Sequence, residues 1–200
     1  MIVCVHQRRP RPLRKPPRTE AIMTQANPQI LVLGVGNVLL RDEGFGIRVI
    51  EKLQKWYDVP DAVTLVDGGV LGVHLMGVIA GADHLIVVDI IRNHGRPGDL
   101  YRLAGDEIPG RIRAKNSLHQ IDFLEALTLC QALDKVPETV IVGAEPQDME
   151  TMVIGLSPTL EACVDPVIAM VLAELERLGC PAVKRKKPHV SGDTFPHYEN

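Results

Sequence analysis

Four side chains in this chain of 200 residues could share one piece of chemistry: Glu43, Asp67, Asp89 and His119. Each acid follows an apolar run. Ile30-Leu31-Val32-Leu33 leads through Gly34-Val35-Gly36-Asn37 to the adjacent acids Asp42 and Glu43. The run from Ala62 to Val66 ends in Asp67-Gly68-Gly69, and His84-Leu85-Ile86-Val87-Val88 ends in Asp89. His119 stands two residues after Ser117, a residue type suited to cap a helix. Carboxylates brought to one place repel one another unless a cation or a shared proton relieves the charge. Two carboxylates and an imidazole form a partial shell for a first-row divalent metal, with positions left for water or substrate. Glu43, Asp89 and His119 have that composition. Spacing alone leaves a structural reading beside it, because an acid at a helix start is favoured by the dipole and a helix-start histidine can serve as a cap or surface residue.

The elements that must position these groups alternate. The first apolar run reads as a strand, and Gly46 to Tyr57 reads as an amphipathic helix with Ile47, Ile50, Leu53 and Trp56 or Tyr57 on one face. Residues 62–66 and 84–88 read as strands, with a helix over 70–80 between them. A short strand follows near 99–103, then a helix over 118–133 capped by Ser117, then a last central strand over 139–143 and a long exit loop over 144–155. The final helix has Ser157 at its N-cap, Pro158 at its first position and Gly179 beyond its end. Strand, helix, strand, helix in this order predicts right-handed crossovers and a mostly parallel sheet. Ligands of such sheets bind outside the carboxyl ends of the strands, which is where Glu43, Asp67 and Asp89 fall.

Composition bounds the rest. The chain is 46% hydrophobic and 24% charged, enough for one domain with a sizeable core. Residues 1–28 are rich in proline and arginine and carry +5, so the remainder carries −8 and shows no nucleic-acid footprint. We read 1–28 as a disordered basic leader or a mis-assigned start, with Met23 as a compact alternative, 29–180 as the α/β domain and 181–200 as a mobile polar tail. Cys4, Cys130, Cys163 and Cys180 form no C-x-x-C pair, which fits a reducing cytoplasm rather than a disulfide framework. No apolar run approaches the ~18 residues of a membrane span, and the leader lacks the apolar core of an export signal.

Two other chemistries have weaker support. Gly34 and Gly36 supply two glycines of G-x-G-x-x-G, but Leu39 occupies the third position, Asp67 lies further on than a ribose-binding acid should, and Asp42 and Glu43 would face a pyrophosphate. No G-x-S-x-G elbow is present, and Ser157 before Pro158 is better placed to cap than to attack.

Five fragments in order carry a resemblance: G-V-G-N-V-L-L-R-D-E-G-F-G at 34–46, V-D-G-G at 66–69, V-V-D at 87–89, S-L-H-Q at 117–120 and G-L-S-P-T at 155–159. Over residues 30–179 the chain resembles the maturation endopeptidases of nickel–iron hydrogenases. That resemblance implies a three-layer α/β/α sandwich around a twisted, mostly parallel five-stranded sheet. It implies an enzyme, aspartyl protease-like in its acids, that removes a short carboxyl-terminal extension from the hydrogenase large-subunit precursor. Nickel already placed in the precursor would be the recognition signal, with Glu43, Asp89 and His119 matching the family's metal-binding positions. Asp67 matches the second-strand acid, so Asp67, Glu43 and Asp89 are the candidate catalytic groups. No organic cofactor, nucleic acid or membrane insertion is implied, and a monomer is expected. Two alternatives from other classes are a nickel-binding chaperone or sensor without peptidase activity, and a dinucleotide-binding oxidoreductase.

Overall fold

Apolar alternation and glycine turns build the elements in sequence order: β1 (Ile30–Val35), a 3-10 turn (Arg41–Gly44), α1 (Phe45–Trp56), β2 (Tyr57–Asp58), β3 (Val63–Gly69), α2 (Met76–Ile79), β4 (His84–Ile90), β5 (Leu100–Ala104), β6 (Glu138–Ala144), α3 (Pro158–Arg177) and β7 (Val183–Lys184). These come from a computed structural model that describes residues 28–69, 76–105, 107–108 and 136–189. The main sheet has five strands in the order β3-β1-β4-β6-β5. Its first four are parallel, and β5 closes the far edge antiparallel to β6. The expected α/β fold with a mostly parallel five-stranded sheet is therefore present.

Both faces of the sheet are covered, as a parallel sheet requires. On one face Ile30 and Val32 of β1, Ile86, Val88 and Ile90 of β4, and Val140 and Val142 of β6 pack with α1 and α3. The alternate residues Leu31, Leu33, Leu85, Val87 and Ile141 pack on the other face with Ile79 of α2. Helix α1 buries Ile47, Val49, Ile50 and Leu53, each worth roughly 1.5–3 kcal/mol of transfer free energy. Helix α3 starts as the sequence predicts: Ser157 is its N-cap, its hydroxyl accepts from Leu160 N–H, Pro158 opens it, and Gly179 follows its end with φ +76°. Its buried Glu174 receives Arg102 of β5 at 2.6 Å and Arg177 at 2.9 Å. Those guanidinium hydrogen bonds, Arg102 foremost, hold the Glu174 carboxyl below its ordinary range.

Two boundaries differ from the sequence reading. Helix α1 stops at Trp56 because Tyr57 turns extended and pairs with β7. Residues 183–189, assigned from sequence to the tail, lie against the end of α1: Arg185 donates to Asp58 at 2.7 Å and to the Gln54 carbonyl, and His189 N–H donates to the Lys55 carbonyl. The helix expected over 70–80 is described as α2, Met76–Ile79. The helix expected over 118–133, with His119 and Cys130, lies outside the described residues, as do 1–27 and 190–200. Among the described residues, no helix is long and apolar enough to cross a membrane.

Candidate active site

The carboxyl ends of β1, β3 and β4 meet the start of α1 through two glycines. A Cβ on Gly34 would come within 2.5 Å of the Gly46 carbonyl oxygen and of Ile50, and one on Gly46 would collide with the carbonyl oxygens of Val35 and Val88. Only glycine lets α1 sit this close to the exits of β1 and β4. The close approach that the glycine motif assigns to its third glycine is thus made here by Gly46 and Gly34, not at Leu39. Between strand and helix the chain folds a 3-10 turn, Arg41–Gly44, which presents Asp42 and Glu43 where a dinucleotide-binding turn would present bare amides.

The two adjacent acids do different things. Asp42 is fully buried, and its carboxylate accepts four hydrogen bonds from the segment after β6. Gln147 N–H donates at 2.9 Å, Asp148 N–H at 2.8 Å, Ser157 N–H at 2.7 Å and the Ser157 hydroxyl at 3.0 Å. Asp42 N–H and Arg41 N–H add backbone bonds to the carbonyls of Asp148 and Val153. Ser157 therefore caps α3 and also anchors Asp42. Nothing in the sequence marks this role for Asp42, because its donors lie more than a hundred positions away.

Glu43 is 8% exposed and its backbone is fixed on both sides: its N–H donates to the Leu40 carbonyl at 2.8 Å and its carbonyl accepts from Asn37 N–H at 3.1 Å. Asp89 is equally buried and accepts from Ile90 N–H at 2.7 Å. Since Gly46 abuts the carbonyl of Val88, the turn bearing Glu43 and the strand end bearing Asp89 occupy one edge of the sheet. Asp67 is exposed, and its Oδ1 accepts from Gly69 N–H at 2.9 Å. In register, Asp67 and Val88 both stand beside Gly34. Asp67 and Asp89 are thus two strand spacings apart, about 10 Å at the backbone. By alternation Asp67 belongs with Val63 and Leu65 on the α1 side, whereas Asp89 follows Leu85 and Val87 of the opposite face. The structure brings three of the four predicted groups to one edge. His119 lies outside the described residues, and among the described residues no three His, Cys, Asp or Glu side chains converge on one metal position.

The exit of β6 supplies further acids that sequence reasoning did not single out. Glu145 is buried, and its Oε2 accepts from Asn93 N–H, Gly95 N–H and the Tyr101 hydroxyl at 2.8, 3.2 and 3.0 Å. Burial first, and then Glu145, push the Tyr101 hydroxyl above its usual pKa. Asp148 accepts from the Thr151 hydroxyl at 2.6 Å, from the Glu150 and Thr151 N–H groups, and from Arg41 at 3.3 Å. The Thr151 hydroxyl, followed by those backbone donors, lowers the Asp148 carboxyl to about 2. These acids organise loops.

Comparison with known proteins agrees with this architecture. A family model described as hydrogenase maturation protease matches residues 47–174. The hydrogenase 2 maturation protease of Escherichia coli is 39% identical over 163 residues, covering 80% of this chain and 99% of that protein. The HupD hydrogenase expression/formation protein of Bradyrhizobium diazoefficiens is 38% identical over 162 residues, 80% of this chain and 84% of that one. The solved structure of the hydrogenase maturating endopeptidase HybD from E. coli superposes with a TM-score of 0.75 at 40% identity, covering 78% of this chain and 98% of that one. With its α/β sheet, its glycine-packed first helix and these matches, the chain belongs to the hydrogenase maturation protease family and is a maturation endopeptidase.

Proposed function

We propose that this endopeptidase removes the carboxyl-terminal extension of a nickel–iron hydrogenase large-subunit precursor once nickel is in place, and that the nickel arrives with the substrate. The observation that carries this reading is the burial of two carboxylates, Glu43 and Asp89, on separate elements that Gly46 draws to one edge. Two acids held there are a strong cation-binding arrangement, and His119 adds the nitrogen donor that a first-row metal favours. A precursor lacking nickel would leave them without that cation, which makes docking conditional on the metal. The cation can also polarise the scissile carbonyl. Asp67, exposed beside the same edge, is the base that takes a proton from the attacking water. Water oxygen then bonds to the carbonyl carbon, the C–N bond breaks, and the leaving amine takes up a proton.

A chaperone or sensor using the same three ligands would bind nickel tightly by itself and leave the precursor's length unchanged. Family membership favours the peptidase, and α1 preceded by two acids disfavours a dinucleotide. The cytoplasm is the compartment proposed for this processing. The test is to incubate nickel-loaded and nickel-free precursor with the enzyme and weigh the products. Loss of a terminal peptide from the loaded form alone is expected; unchanged mass in both would remove the peptidase reading.

A further inference from the structure

Beside Asp67, between the turn at 36–39 and the end of β3, the surface opens into a cavity of about 320 Å³. Its apolar lining is Val38, Leu39 and Ile47, its polar side chains are Asn37 and the charged Asp67, and Gly36 and Gly69 complete it with backbone. Leu39 is 52% exposed, on a turn tied by several hydrogen bonds. Leu39 N–H donates to the Asn37 side chain at 3.0 Å, Leu40 N–H to the Asn37 carbonyl at 3.1 Å, and Asn37 N–H to the Glu43 carbonyl at 3.1 Å. Gly36 N–H donates to the Gly69 carbonyl at 3.2 Å and joins the turn to the end of β3. Among the described residues, a Cβ built on Gly69, whose φ is +46°, would meet only the Asp67 carboxylate at 3.7 Å.

A rigid apolar wall facing a solvent-accessible carboxylate suits a peptide segment whose side chain enters the cavity while its backbone passes the acid. The volume is at the small end for ligand pockets and is too small for a folded element. We infer that this cavity binds the side chain of an apolar substrate residue adjacent to the hydrolysed bond and so fixes which bond is cut. The inference rests on the peptidase reading with Asp67 as base, and it adds Val38 and Leu39 as specificity-determining residues. Their apolar contact with the substrate selects for hydrophobic bulk, and a carboxylate at the same substrate position would be buried against them beside the Asp67 carboxylate, which adds like-charge repulsion to its desolvation.

The test needs a cognate nickel-loaded precursor, whose cleaved bond is located by product mass. Each residue flanking that bond is replaced in turn by Ala and by Glu, and kcat/KM is measured with wild-type and Leu39→Lys enzymes. At one flanking position the wild-type enzyme should lose about 10-fold with Ala and about 100-fold with Glu, the range that pocket contacts of this size give. Leu39→Lys should lose about 10-fold or more on the natural precursor and recover on the Glu precursor, reversing the preference. Because Leu39 is exposed, its replacement should leave the melting temperature unchanged. Normal processing that ignores both flanking residues, or an unchanged preference in Leu39→Lys, would overturn the cavity assignment and leave the peptidase standing. No shortening of any loaded precursor by the wild-type enzyme would sink both.

Discussion

The carboxyl edge of the sheet has two halves that use the same residue types for opposite ends. Around the exit of β6, Glu145, Asp148 and the incoming Asp42 accept many short hydrogen bonds from the chain's own amides and hydroxyls. A cavity of about 350 Å³ opens there as well, lined by Glu145, Asp148 and Arg92, but those two acids already serve as loop fasteners. Around the exits of β1 and β3, Asp67 is exposed and, among the described residues, accepts from the Gly69 amide, and its cavity is walled by Val38 and Leu39. Glu43 and Asp89 lie between the halves. An acid's identity therefore says little; what its oxygens already hold decides whether it can meet a substrate.

This contrast can be broken by exchanging activity and stability effects. The largest expected effect falls on catalysis at Asp67. Asp67→Asn should lower kcat/KM on loaded precursor by about 10²- to 10⁴-fold. Its melting temperature should stay within about 1 °C, as for surface changes away from packed features. A large thermal shift would place Asp67 among the fasteners instead. Asp42→Ala should do the reverse. It strands three backbone N–H groups and a hydroxyl, at a cost of about 3 kcal/mol, which in a domain of this size lowers the midpoint by about 6–12 °C. Calorimetry with wild-type-like stability for Asp42→Ala would contradict the clamp.

Ser157→Ala removes both the cap of α3 and one donor to Asp42. About 1–2 kcal/mol should be lost, read in urea unfolding as a lower midpoint at unchanged slope. The smallest effect concerns pH. The folded pKa of Asp148, about 2, lies below the ordinary carboxylate value, so its contribution is present at neutral pH and is lost as pH falls from about 4 through 2. Asp148→Asn should flatten that part of the stability profile; an identical acid limb in the variant would show that other groups produce it.

Much of this was readable in the chain, and the parts that were not share a cause. The central strands at Ile30, His84 and Glu138 announce themselves by apolar runs, because a parallel strand is covered on both faces, whereas the edge strand at Val63 carries an exposed Thr64 within its run. Ser157-Pro158 and Gly179 mark both ends of α3 by local capping chemistry. Asp67 and Asp89 were legible because each ends such a run. The role of Asp42 was not, since its four donors come from residues 147–157, and neither was the ribbon that holds Arg185 to Asp58. Gly46 was hidden for a similar reason: its need for a bare Cα arises from the carbonyls of Val35 and Val88, on two different strands. Local signals place elements, whereas contacts across the sequence assign their side chains.

Glu43, Asp89 and His119 are proposed to close around a nickel ion that the precursor brings. The most direct measurement is nickel-edge X-ray absorption of loaded precursor alone, then mixed with stoichiometric enzyme and frozen within one turnover, using wild type and the Glu43→Ala, Asp89→Ala and His119→Ala variants. The account predicts additional oxygen and nitrogen neighbours at nickel on mixing with wild type, fewer with each variant, and loss of processing in the same variants. A nickel spectrum unchanged by wild-type enzyme, with the precursor nonetheless shortened, would contradict it.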